Sequence, residues 1–138
     1  MQDKITKVGY FAMDVANKPG EAAQVLQALS QAGVNLLAFS GFPRRRRAQL
    51  DFVPEDAALF RKALTGAKLK VQRKKTGFLI QGEDRPGACA EVLQKLADAN
   101  INVTAMDAVT SGDGRYYGAI LWVKSPDVGK AARALKAV

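Results

Sequence analysis

Apolar positions recur along the chain with two periods, and each change of period marks an element. Val8, Tyr10 and Ala12 alternate with Gly9, Phe11 and Met13, which is the two-residue period of a strand. After a loop over residues 17–20, Ala22, Val25, Leu26, Leu29 and Ala32 fall on one helical face, opened by Pro19 and closed by Gly33. Two extended segments, 36–42 and 49–53, predict a hairpin, and Pro54-Glu55-Asp56 opens a second helix whose inner face includes Ala57, Phe60 and Leu64. Residues 68–73 then predict a fourth strand, with Arg73-Lys74-Lys75 as a linker.

The same order recurs. Residues 17–39 align with 84–106 at a shift of 67, and ten of the 23 positions are identical, so the chain holds two copies of one plan. Phe11 and Met13 fall on Phe78 and Ile80, and the helical face is repeated as Cys89, Val92, Leu93, Leu96 and Ala99. Segments 103–110 and 116–124 repeat the hairpin around a longer SGDG turn, and Ser125-Pro126-Asp127 opens the last helix. The expected fold is α+β, two tandem ferredoxin-like βαββαβ units with a division at 1–74 and 75–138. Past the longer turn the shift becomes 72, with Pro126 on Pro54, so Val138 falls on Gly66 and the second unit (βαββα) lacks its own final strand. The bare edge this leaves predicts a long N-terminal strand pairing there, strand exchange or an oligomer.

Two copied loops are the candidate site. Asn17-Lys18-Pro19-Gly20 and Asp84-Arg85-Pro86-Gly87 each place a glycine at the mouth of a helix, where first-turn N–H groups favour a carboxylate or phosphate. The Asn or Asp just outside suits an ammonium or other polar group, so one loop offers something to both ends of an amino acid. The plain alternative is that Asn or Asp before Pro-Gly serves the turn alone. At the far end of each helix stands a second copied element, Gly33-Val34-Asn35 and Asn100-Ile101-Asn102.

The doubled [N/D]-[K/R]-P-G, the V-L-x-x-L helix and the [G/N]-[V/I]-N turn together resemble the ACT domain, a small regulatory module of amino-acid metabolism. The resemblance spans both halves. It implies a freestanding, non-catalytic tandem ACT protein that binds a small effector, typically an amino acid, at the interface between ACT-like units. The residues it implies for the site are the eight of the two loops together with Val34, Asn35, Ile101 and Asn102. Asn17 would face Asn102, and Asp84 would face Asn35. Where relatives carry a ligand-binding residue two places before the loop Asn, this chain has Val15 and Gly82, which departs from a serine-binding pattern. Glu21 repels an anion at the first loop, whereas Ala88 stands at the second, so the second loop is the expected stronger carboxylate site. Leu36, Leu37, Val103 and Thr104 are the expected pocket walls.

A second reading is an RNA-binding ferredoxin-like module. RYYGAILW over 115–122 loosely resembles the aromatic strand of such modules, and the basic segment 44–75 would meet the phosphates. Tyr116 stands where that signature has glycine, and Ala119 where it has an aromatic residue. Catalysis is not expected: histidine is absent, and no carboxylate pair, Cys-His pair or phosphate loop stands out. Cys89 lies on the apolar stripe and reads as a small buried hydrophobe. No metal and no cofactor is expected.

Composition adds the setting. With 48% hydrophobic and 25% charged residues the chain is globular in type, and one cysteine without an apolar leader fits a cytoplasmic protein. The formal charge of +8 is wholly local, because residues 44–75 hold eleven basic and three acidic groups and the remainder holds ten of each. Arg44, Arg45, Arg46 and Arg47 crowd a hairpin tip, where they suit an acidic protein partner or steer an anionic ligand. A homodimer or strand-exchanged oligomer is expected; no membrane partner is expected, and nucleic acid belongs only to the second reading.

Overall fold

A computed structural model describes residues 3–138. The elements run β1 (Lys4–Ala16), α1 (Glu21–Gln31), β2 (Leu36–Arg44), β3 (Arg47–Pro54), α2 (Ala57–Gly66), β4 (Arg73–Glu83), α3 (Ala88–Asp98), β5 (Val103–Thr110), β6 (Tyr116–Val123) and α4 (Val128–Leu135), the last entered through a 3-10 turn at Ser125–Asp127. This is an α+β chain with antiparallel strand pairing, of ferredoxin-like type. It divides into two compact units, Gly9–Lys75 on one hand, and the residues up to Val8 with Thr76–Val138 on the other. β1 belongs to both. Among the described residues no helix is long and apolar enough to cross a membrane.

In the unit Gly9–Lys75 the strand order is β2-β3-β1. Strand alternation turns Phe11, Met13 and Val15 toward the helices, where they meet Leu50 and Phe52 of β3, Val25 and Leu29 of α1, and Phe60 and Leu64 of α2. Phe60 is the centre of this core, its ring 4.9 Å from that of Phe11 and 5.4 Å from that of Phe52. Asp56 caps α2 by accepting the Leu59 N–H at 3.1 Å. The expected strand over 68–73 is corrected by the structure: only Arg73 of that stretch is strand. Leu69 and Val71 pack on the core in irregular backbone, and the Gln72 N–H donates to the Ala12 carbonyl at 3.0 Å. The basic run expected as a linker instead opens β4, with Lys74 and Lys75 exposed while their backbone is in strand.

In the other unit the order is β5-β6-β4 with the first residues of β1 beyond β4. Phe78 and Ile80 of β4 pair with Leu121 and Ala119 of β6 and cover Val92 and Leu96 of α3 and Leu135 of α4. Ile5 of β1 joins the same core. The Lys7 N–H donates to the Val138 carbonyl at 2.8 Å, and the Val138 N–H donates to the Ile5 carbonyl at 3.0 Å. The edge beside β4 is therefore covered by a long N-terminal strand. That strand also brings Asp3 to Arg85 of the second copied loop.

Candidate functional site

β1 and β2 both run antiparallel to β3, so they run parallel to each other and end at the same margin of the sheet. This brings the loop after β1 beside the last residues of β2 and makes a cleft of about 300 Å³, lined by Asn17, Lys18, Glu21, Ala22, Gly41 and Phe42 among others. β4, β5 and β6 repeat the arrangement. The second cleft, of about 410 Å³, is lined by Asp84, Arg85, Ala88, Cys89, Ala108 and Val109, which are those same positions carried forward by 67. Tyr117, the neighbour of Gly82 across the strands, closes it as Ala48 closes the first. Both helices at the clefts begin at a glycine, Gly20 with φ 90° and Gly87 with φ 84°, and neither has a side-chain cap. First-turn N–H groups there are left for something other than a capping side chain.

The two clefts differ in charge. In the first, Lys18 Nζ lies 3.4 Å from Glu21 Oε1 across an exposed surface. In the second, Arg85 is the centre of a network: it donates to Asp3 Oδ1 at 3.1 Å and Oδ2 at 3.4 Å, to Glu91 Oε2 at 2.7 Å and to the Glu83 carbonyl at 2.9 Å. The Tyr117 hydroxyl donates to Asp3 Oδ2 at 2.7 Å. Burial opposes ionisation of Asp3, but the hydrogen bonds from Arg85 and Tyr117 outweigh it and hold the carboxyl below its ordinary 3.8. Burial and the Asp3 hydrogen bond raise the Tyr117 phenol, and the bonds to Asp3 and Glu91 raise Arg85. The result is a fixed cation and a fixed hydroxyl, both aimed at one carboxylate.

The expected site residues divide accordingly. Asn17 and Lys18 line the first cleft, with Pro19 and Gly20 exposed at the helix mouth beside it. Asp84, Arg85 and Gly87 line the second, and Pro86 is exposed between them. Asn35 and Asn102 lie at the other ends of α1 and α3, eleven residues of helix and roughly 16 Å from their own loops. Asn35 is engaged there, its carbonyl accepting the Glu55 N–H at 2.9 Å and its Nδ2 donating to Glu55 Oε2 at 3.2 Å. Asn102 is exposed. Val34 and Ile101 pack on the two cores, because the turn into the next strand directs its apolar residue inward.

Leu36, Leu37, Val103 and Thr104, the expected walls of an effector pocket, stand at the starts of β2 and β5, whereas the two clefts are walled by the strand ends 41–43 and 108–110. The aromatic platform for RNA is not available either. Trp122 is 6% and Tyr117 5% exposed, so of that strand's aromatics only Tyr116 is open to stacking. The arginine hairpin does reach the first cleft's end of the sheet, since Arg47 pairs with Ala16. Arg44 donates to Gln49 Oε1 and Arg47 to the Asp14 carbonyl, while Arg45 and Arg46 are exposed. Sequence reasoning missed Asp3, Glu91 and the role of Tyr117. Asp3 precedes the repeat, so no second copy marks it.

Residues 78–138 match the family model of the ACT domain. No curated protein matches the sequence. Among solved structures the chain is similar to a protein from Bacteroides thetaiotaomicron, with 20% identity over 96% of this chain and 88% of that one and a TM-score of 0.81. It is also similar to the regulatory subunit of aspartate kinase from Thermus thermophilus in its ligand-free form, with 19% identity, coverage of 99% and 96% and a TM-score of 0.67. The corresponding subunit from Thermus flavus gives 20% identity, coverage of 98% and 94% and a TM-score of 0.61. At these identities the likeness is one of fold.

Proposed function

We propose that the chain is a regulatory protein built of two ACT units that binds a small effector, an amino acid, in the loop–helix clefts and acts through its association with other chains rather than by catalysis. The observation that carries this reading is that one cleft is built twice from equivalent positions, each with a glycine-started helix, a flanking Asn or Asp and the end of a strand. Packing alone gives no reason to keep both helix mouths uncapped. The regulatory aspartate kinase subunits of like fold point the same way. Apolar residues exposed on the outer strands β2 and β5, among them Leu37, Phe39, Phe42 and Val109, suit a second copy of the chain as the partner.

Calorimetric titration with the twenty amino acids tests this. At least one is expected to bind saturably, and Gly87→Ala is expected to weaken it more than Gly20→Ala. The comparison is a fair one, because a Cβ at either glycine meets nothing within 4 Å and both carry the same backbone strain. Absence of binding and of any shift in Tm or mass across all twenty would overturn the reading. Larger loss at Gly20 would move the main site to the first cleft.

A further inference from the structure

Gly82 lies inside β4, where glycine weakens a strand and marks a close approach. The approaching group is the Asp3 side chain: a Cβ on residue 82 would overlap the Asp3 carboxylate and come within 2.9 Å of Tyr117 Cε1. Asp3 is only 7% exposed at its side chain and is held by both guanidinium nitrogens of Arg85 and by the Tyr117 hydroxyl. Arg85 is itself braced by Glu91 and the Glu83 carbonyl, so its fork is set in place rather than recruited by Asp3 alone. A two-pronged guanidinium with a buried phenol is the chemistry that recognises a free carboxylate. Arg85 and Tyr117 both line the second cleft. The equivalent positions of the first cleft carry Val15, Lys18 and Ala48, so this pocket is particular to the second.

We propose that Arg85 and Tyr117 form a carboxylate-binding subsite of the second cleft, that Asp3 occupies it as a tethered stand-in, and that the effector is a small carboxylate that displaces Asp3. The proposal rests on the effector-binding reading above and deepens it. An α-amino acid fits, because Asp84 lines the same cleft and offers an acceptor for the ammonium. A tethered carboxylate competes at high effective concentration, so the free ligand binds the occupied cleft more weakly than the vacated one. Displacement also removes the anchor at the start of β1, loosening residues 3–8 from the sheet edge they cover. Ligand binding and edge exposure are thereby linked.

Three full-length forms test this: the unaltered chain, Asp3→Ala, and Asp3→Ala with Arg85→Gln. Sodium acetate, against sodium chloride at equal ionic strength, is expected to raise the Tm of Asp3→Ala saturably and to leave the double variant unmoved. Any amino acid that binds the unaltered chain is expected to bind Asp3→Ala about tenfold tighter or better. In the unaltered chain, excess acetate is expected to speed hydrogen exchange at the Lys7 and Val138 amides, a readout that does not depend on how well the variants fold. Acetate no better than chloride on Asp3→Ala, an acetate effect that survives Arg85→Gln, or unchanged exchange at both amides would each overturn the proposal. Amino-acid binding that is equal with and without Asp3 would refute the stand-in but leave the effector reading intact. Acetate binding to Asp3→Ala with no amino acid bound by any form would do the opposite.

Discussion

Gly82 and Gly87 are near neighbours in sequence and are glycine for different reasons. At Gly82 the backbone is ordinary strand and the constraint is steric, whereas at Gly87 a Cβ would meet open space and the constraint is a φ of 84°. Gly82→Ala is expected to cost about 1–3 kcal/mol, the range for overpacking a close contact, and Gly87→Ala about 1 kcal/mol of left-handed strain. Urea unfolding separates the two through a second substitution. Asp3→Ala should recover part of the Gly82→Ala loss and none of the Gly87→Ala loss; equal recovery would mean that Asp3 is not what fills the space. The loops themselves were legible in the sequence, since Pro-Gly at a helix mouth has a local signature and occurs twice. Asp3 was not, because a single acid ahead of the first strand has no local signature. Its role is written only in the pairing that lays it over Gly82.

α2 starts with a side-chain cap, Asp56 to the Leu59 N–H, while α1 and α3, whose mouths open on the clefts, start at glycine with no such bond. Asp56→Ala is expected to lower stability by about 1 kcal/mol and to leave effector affinity unchanged, since Asp56 lines neither cleft. A change in calorimetric Kd beyond the stability effect would contradict that separation. The helical stripes and hairpins were readable from periodicity because each buries one face. β4 was not read as one strand. Its opening residues Arg73, Lys74 and Lys75 lack an apolar alternation, and their place in the strand comes from backbone pairing that charge does not reveal. The walls of the two clefts were not legible for a related reason: which end of β2 meets the loop after β1 depends on strand direction in three dimensions.

At the scale of the whole molecule the two units are expected to answer acid with opposite signs. Asp51, 7% exposed in the unit Gly9–Lys75, is pushed above 3.8 by burial, an effect that the hydrogen bond from Gln49 and the charges of Arg73 and Lys75 only partly offset. Its folded form takes up a proton that the unfolded chain does not yet hold, so stability rises as pH falls through its raised value and levels off near 3.8. Asp3 in the other unit is held below 3.8. Its contribution is complete above that value and is lost as pH falls through the lower one. Urea midpoints measured from neutral pH downward should therefore first climb and then fall. Asp51→Asn is expected to remove the climb and keep the fall, because the amide oxygen still accepts from Gln49 Nε2, now 2.8 Å from Asp51 Oδ1, without the buried charge. Asp3→Asn is expected to keep the climb and blunt the fall, since the amide no longer ionises beside Arg85. A profile that falls steadily from neutral pH in the unaltered chain would show that Asp51 is solvated in solution; a fall unaltered by Asp3→Asn would show that its carboxylate is not bound to Arg85 and Tyr117.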